Sequence, residues 1–273
     1  MKLIKIILKH IFTLPQIILH RLRGVGIPYS QLVTFFRYFP FGKINLNNTV
    51  QINYKGKTVI FFTGDLGPMA AGEFAQHDYD WLPVNGCDVV DIGAAIGDTG
   101  IIFSLRGAKK VVGYELNKHY FEIAQKNILL NNVQDKFSIN YCGIASKKIS
   151  EADEILGALI SDKHRSNIGD ADFKTFNQIT FEMGDSNDLV LKIDVDGYEY
   201  EIMRSANKKM INAYKCIVME YHYGTQDLVE ILEDAGFEVK IVPVTKVTIN
   251  HHPEGFKSMD IGMIYARKIR SVN

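Results

Sequence analysis

From residue 88 onward the chain repeats one pattern: a short apolar run, a turn, then a stretch whose apolar residues recur at helical spacing. The apolar runs read as strands near 88–92, 110–116, 137–144, 188–195, 216–223, 237–244 and 260–268. Helical segments fall near 97–106, 117–131, 198–211 and 225–236. Strands alternating with helices predict a doubly wound α/β domain, with a mostly parallel seven-stranded sheet covered on both faces. The last strand follows the loop "TKVTINHHPEGFKSM", which has no helical pattern, so it is expected to run antiparallel. The stretch 145–187 is too long for a simple connector and is expected to form an insertion over a site.

The N-terminal part is built differently. Residues 50–62, "VQINYKGKTVIFF", read as a hairpin around a Lys-Gly turn. Residues 1–23 carry an apolar stripe (Leu3, Ile7, Ile11, Leu14, Ile18, Leu22) opposite a stripe with Lys2, Lys5 and Lys9, the pattern of an amphipathic helix. Pro15 should kink or divide it. Nine Lys/Arg and no acid precede Asp65, so the rest of the chain holds 22 basic against 31 acidic residues. A basic appendage meets an anionic partner. That partner is either the acidic body, with the helix packed on it or on a second subunit in a homodimer, or a membrane surface that residues 1–23 touch peripherally. The division is therefore a basic extension, 1–64, and a main domain, 65–273.

No apolar run is long enough to cross a membrane, and Lys5 and Lys9 interrupt what would be the core of a signal peptide. Cys87, Cys142 and Cys216 are widely spaced and odd in number, which predicts buried free thiols in a reducing, cytoplasmic setting. No groove combining aromatic and basic residues is apparent, so a nucleic-acid partner is not expected.

In a sheet of this kind, ligands bind beyond the carboxyl ends of the strands where the strand order reverses. The first regular strand ends in "VVDIGAAIGDTG", Val89–Gly100. Gly93, Ala94 and Gly97 form a turn through which backbone can approach a ligand, and Asp98 and Thr99 open a helix whose free N–H groups face it. The second strand ends in Glu115, 22 residues after Gly93 and placed to bind ribose hydroxyls, with Asn117 opening the next helix beside it. The turn lacks the middle glycine that a dinucleotide pyrophosphate requires, and Asp91 stands two residues before Gly93. A carboxylate there repels pyrophosphate and suits an ammonium or sulfonium. The charge pattern thus favours S-adenosyl-L-methionine over NAD. An NAD-dependent oxidoreductase and a membrane-associated nucleotide-binding module without turnover are the rival readings.

"VVDIGAAIGDTG", "GYELN" and "LVLKIDVDGYE" together resemble the FkbM-type branch of S-adenosylmethionine-dependent methyltransferases, over roughly residues 85–245. That family typically reads V-D-V-G-A-N-I-G, then F-E-P, then L-K-I-D-x-E-G-x-E. This chain departs from it at Ala95, at Leu116-Asn117 and at Asp196. The resemblance implies a Rossmann-like class I methyltransferase fold. It also implies that Asp91, Gly93, Gly97, Asp98 and Thr99 line the methionine end of the cofactor and that Glu115 takes the ribose. An adenine contact is expected from backbone near Cys142–Ile144, at Gly143. By resemblance the reaction is O-methylation of a hydroxyl on a sugar, glycolipid or secondary metabolite, with a small-molecule or glycan acceptor.

Strand alternation places Lys192, Asp194 and Asp196 of "LVLKIDVDG" on one face. A lysine in a central strand must find a carboxylate, so Lys192 is expected to orient the catalytic set through an ion pair. Asp194 is the candidate base or cofactor-amine ligand, and Asp196 the candidate cap of the following helix. Glu220 and His222 of "CIVMEYHY" share a face of the next strand, and His222 could accept a hydroxyl proton. No metal is expected. Adjacent histidines on a loop point apart and His251, His252 and Glu254 have no second cluster to support them, although Asp194, Glu220 and His222 could in principle converge on an ion.

Overall fold

Strand β4 (Asp88–Ile92) is buried at all five positions, which requires neighbours on both edges and cover on both faces. In the computed structural model, which describes residues 42–45, 49–54, 56–64, 79–146, 169–184, 186–252 and 255–269, it has both. On one side β5 (Lys110–Glu115), β6 (Phe137–Ile144) and β7 (Asp172–Lys174) follow in parallel. On the other lie β8 (Leu189–Ile193) and β9 (Cys216–Tyr221), also parallel. β11 (Gly255–Lys268) pairs antiparallel with β9, and β10 (Phe237–His252) pairs antiparallel with β11 at the edge. The order is β10-β11-β9-β8-β4-β5-β6-β7. The chain therefore leaves β4 in one direction and returns on its other side at β8, so the reversal lies between the carboxyl ends of these two strands.

Two apolar cores flank this sheet. On one face, α1 (Asp98–Leu105) and α2 (Lys118–Leu130) bury Ile101, Phe103, Ile123 and Ile128 against Val89, Val111 and Val190. On the other, α3 (Phe176–Glu182), α4 (Glu199–Ser205), α5 (Lys208–Ile211) and α6 (Leu228–Asp234) cover Val90, Val112 and Leu191. Cys87, Cys142 and Cys216 are buried free thiols, as the sequence indicates. Among the described residues no helix is long and apolar enough to cross a membrane.

The sequence pattern needs four corrections. Among the described residues the sheet has eight strands, not seven, because β7 is three residues, "DFK", too short to show an alternation. It and α3 emerge from the stretch expected to be an insertion, and α3 begins with a capping box between Thr175 and Gln178 that the sequence carries openly. The helix expected over 198–211 breaks, since Ala206 is extended and the Asn207 side chain accepts the Lys209 N–H to start α5. The loop expected before the last strand is instead the outer part of the β10–β11 hairpin, with register shifts between Pro243 and Thr245 and between Ile249 and His252. Residues 1–23, the expected amphipathic helix, lie outside the described residues, as do 147–168.

A second sheet, β1 (Gly42–Asn45), β2 (Thr49–Tyr54) and β3 (Lys57–Phe62), contains the expected hairpin as β2 and β3 and packs Val50, Val59 and Phe61 into the α1–α2 core. The outer edge of β3 meets two asparagine amides on α2. Asn127 accepts from Phe62 N at 2.6 Å and donates to Phe62 O at 3.1 Å. Asn131, one turn on, accepts from Ile60 N at 2.9 Å and donates to Ile60 O at 2.7 Å. These side chains stand in for a neighbouring strand and satisfy an edge that would otherwise carry unpaired backbone groups. Asn127, fully buried, also donates to Ile96 O at 2.9 Å and so ties the hairpin to the glycine turn. Asn127→Leu strands three backbone groups and is expected to lower the unfolding free energy by about 2–4 kcal/mol in urea denaturation. Asn131→Leu, at a half-buried position, should cost less.

Candidate active site

The strand reversal places Lys192 of β8 beside Asp91 of β4 in register, with the lysine fully buried. Its Nζ lies 3.3 Å from Asp91 Oδ1 and donates to Gly93 O at 2.5 Å. Asp194 Oδ2 is 4.0 Å away, and the ring of Tyr79 covers the ammonium at 5.5 Å. The Thr99 hydroxyl donates to Asp91 Oδ2 at 2.6 Å. Burial pushes the Asp91 pKa up, against the opposing pull of Lys192 and Thr99. The sequence expectation of a paired lysine is thus met, and the partner is Asp91.

Above this pair the chain turns sharply. Gly93 has φ +76°, and a Cβ there would stand 1.7 Å from Asp194 O, so only glycine fits. Ala95 also has positive φ, +43°. That is a region Asn tolerates better than most residues, which gives a physical reason for the Asn that the resembling family carries there. The turn delivers the Ala95 N–H to Glu115 Oε2 at 2.8 Å, while Asn117 N–H reaches Glu115 Oε1 at 2.7 Å. Burial raises the Glu115 pKa to about 7 despite these two hydrogen bonds. Ala94 is buried beneath the turn, and Gly97 caps α1 with φ +81°. Asp98 follows it, buried, with Oδ2 lacking a hydrogen-bond partner among the described residues. Burial, with Asp91 adding to it and Lys192 opposing, raises the Asp98 pKa to about 7.

The carboxyl ends of β8 and β9 bring a second group together. Asp194, Glu220 and His222 each offer a ligand atom within 4.8 Å of the others. Tyr79 OH donates to Asp194 Oδ2 at 3.0 Å, and Asp194 Oδ1 faces His222 Nε2 at 4.0 Å. Asp196 Oδ1 is 3.5 Å from the same nitrogen. The other side of the ring is held by Glu199, whose Oε1 accepts from His222 Nδ1 at 3.1 Å and from His222 N at 2.9 Å. Burial disfavours the imidazolium, yet Glu199, Asp194 and Asp196 outweigh it and push the His222 pKa up to about 10. The surrounding acids thus favour the charged form of the ring. Asp196 does not cap α4, either. The helix N-cap is Tyr198 with no side-chain hydrogen bond, and Glu199 Oε2 takes the Gly197 N–H at 2.9 Å instead.

Other expected site residues sit apart from this cluster. The Asn117 side chain caps α2 by accepting from His119 N and Tyr120 N. Gly143 lies on β6 opposite Phe173 of β7, where a Cβ would meet that ring at 2.6 Å. The side chains of His251, His252 and Glu254 fall outside the described residues. Two residues of the cluster escaped the sequence reading. Glu199 is the last acid of "LVLKIDVDGYE" and was legible as part of that motif. Tyr79 had no local signal. It is set by Arg106, which donates to Tyr79 O, Asp80 O and Leu82 O at 2.7–2.9 Å.

Lys192→Met leaves Asp91 buried without its cation and is expected to cost about 3–5 kcal/mol of stability in chemical denaturation. Adding Asp91→Asn should recover about half or more of that loss, because the two residues form one unit.

Residues 91–239 match the family model described as Methyltransferase FkbM domain. Over 77 residues the chain is 32% identical to the ribosomal protein L11 methyltransferase of Streptococcus equi subsp. zooepidemicus (strain MGCS10565), covering 28% of this chain and 24% of that protein. The chain thus spans about a quarter of the length of the curated relatives it matches. Among solved structures it is similar to a precorrin-6y C5,15-methyltransferase from Geobacter metallireducens GS-15, with 18% identity, 72% of this chain and 88% of that chain covered, and a TM-score of 0.41. It is also similar to the magnesium protoporphyrin IX methyltransferase from Synechocystis PCC 6803 with bound SAM, with 13% identity, 73% and 78% covered, and a TM-score of 0.41. With more than half its length inside the family model, the chain belongs to the FkbM methyltransferases, and its cofactor is S-adenosyl-L-methionine.

Proposed function

We propose that the protein is an O-methyltransferase whose acceptor is a hydroxyl of a sugar, glycolipid or secondary metabolite. The observation that carries this reading is the acid and histidine cluster at the ends of β8 and β9, next to the glycine turn. A hydroxyl must lose its proton on methylation, and a carboxylate placed where the acceptor oxygen stands serves that need.

The residues fit a cationic adenosyl cofactor. Asp98 Oδ2 is a buried carboxylate oxygen without a hydrogen-bond partner among the described residues, beside the Asp91–Lys192 pair, and suits an ammonium. Glu115 stands at the tip of β5 with each oxygen already accepting one N–H, which leaves lone pairs for two ribose hydroxyls. Gly93, Ala94, Gly97 and Thr99 shape the turn between them, with Asn117 fixing the start of α2 and Gly143 kept for the adenine side. When bound, S-adenosylmethionine supplies a methyl group activated by its sulfonium. Lys192 holds the turn through Gly93 O and keeps Asp91 in place. Asp194, held by Tyr79, is the group that takes the acceptor proton. His222 and Glu220 border the acceptor oxygen. The named relative acts, by its name, on a ribosomal protein, so a small-molecule acceptor for this chain is part of the proposal.

Transfer of labelled methyl to sugar, glycolipid, protein and RNA acceptors tests the acceptor class. Labelling of a hydroxyl by wild type, reduced about 100-fold in kcat by Asp194→Asn, is expected. Labelling confined to protein or RNA would overturn it. The cofactor assignment has its own measurement. Glu115→Gln should weaken S-adenosylmethionine binding by about tenfold or more in calorimetry.

The same carboxyl group predicts a pH dependence. Ribose hydroxyls donate to the ionised form, so affinity should fall as pH drops below about 7 in wild type and fall less steeply in Glu115→Gln, where Asp98 alone still titrates near 7. Folding has the opposite sign. A carboxyl raised from 4.5 to about 7 contributes stability that is full below 4.5 and lost as pH rises through about 7.

A further inference from the structure

The cluster at the ends of β8 and β9 has the composition and the second layer of a cation site. Asp194 and Glu220 offer carboxylate oxygens and His222 a ring nitrogen, all within 4.8 Å of one another. Ligand atoms around a divalent ion at ~2.1 Å stand about 3–4 Å apart, so the three side chains need to draw in only slightly. Glu220 lies on β9, and Asp194 and His222 directly follow the adjacent parallel strands β8 and β9. His222 is buried, and Glu199, fully buried, accepts from Nδ1 at 3.1 Å. That bond commits Nδ1 as the donor and turns Nε2 toward Asp194 and Asp196, at 4.0 and 3.5 Å. A carboxylate behind a histidine whose other nitrogen faces acids is the arrangement that orients metal-ligating imidazoles. Tyr79 OH fixes Asp194 in the same way, holding Oδ2 at 3.0 Å and leaving Oδ1 toward the ring.

Charge points the same way. Asp194, Asp196, Glu199 and Glu220 gather around one imidazole, and Lys192, 4.0 Å from Asp194, is engaged mainly with Asp91 and Gly93 O. A site with such an excess of carboxylate favours a divalent cation. One imidazole with two carboxylates suits an ion of the manganese or zinc type better than calcium.

We infer that Asp194, Glu220 and His222 form a site for one divalent cation, oriented by Glu199 and Tyr79. The ion displaces the proton at Nε2, which leaves to solvent, and its remaining positions are open to water or to an acceptor oxygen. The role given to the ion, holding an acceptor hydroxyl, rests on the O-methyltransferase reading. The existence of the site does not.

The test uses the full-length chain, freed of metal by chelation and titrated with Mn²⁺, with the free-ion signal followed by electron paramagnetic resonance. Saturable binding of about one ion per chain, competed by Zn²⁺, is expected. Glu220→Gln and Glu199→Gln should each weaken it by about 10–100-fold. Glu220 is only half-buried, so its variant keeps the test decisive should changes at His222 prevent folding. No saturable Mn²⁺ or Zn²⁺ binding, or an affinity indifferent to Glu220→Gln, would overturn the site. Intact Mn²⁺ binding with no methyl transfer to any hydroxyl would instead overturn the acceptor reading and leave the cation site standing.

Discussion

A fully buried ammonium in the middle of a parallel sheet organises this protein. Lys192 cannot be left unpaired between β4 and β9, since an isolated charge in that setting costs far more than the fold's net stability. Its two strongest partners, Asp91 and Gly93 O, both lie at the end of β4. Satisfying the lysine therefore locks the register of β4 against β8 and draws the glycine turn down onto the sheet. The absence of a side chain at Gly93 is what lets Asp194 O approach the turn from the other strand. Pairing, turn geometry and the position of Asp194 are then consequences of one charge seeking neutralisation.

From that centre two acidic arms extend. One runs through the Ala95 N–H to Glu115 at the tip of β5, and the other through Asp194 to His222 and Glu199 beyond β9. Burial acts differently on the two. Around Glu115 and Asp98 few cations compete with desolvation, so the carboxyls are pushed toward neutrality. Around His222 the carboxylates are so numerous that they outweigh burial and favour the ring's charged form. A family built on a cationic cofactor has reason to keep such acids poised, because the ligand brings the charge they lack.

The scaffold beneath the arms is secured by side chains that act as backbone. Asn127 and Asn131 complete the edge of β3, and Arg106 gathers three carbonyls of the segment carrying Tyr79. These devices explain what the sequence pattern could and could not show. Strands such as β4 and β8 announce themselves by short, wholly buried runs, β6 by apolar residues alternating with Ser138 and Asn140, and the turn at 93–97 by its glycines. A three-residue strand has no period to detect, and an asparagine on a helix face does not advertise which backbone it will bind. The break between α4 and α5 was similarly hidden, since Asn207 works as a cap only once Ala206 has turned extended.

Local chemistry in the chain was enough to determine the doubly wound class, the reversal near β4, the cationic character of the ligand and the need of Lys192 for an acid. Each follows from a period, a glycine or a charge that must be satisfied wherever the chain goes. Which acid answers Lys192, the raised pKa values of Glu115 and Asp98, the holding of His222 by Glu199 and the arrival of Tyr79 at Asp194 were decided by tertiary structure alone. They depend on burial and on distances between residues as many as 115 positions apart, quantities that exist only after the sheet has closed around them.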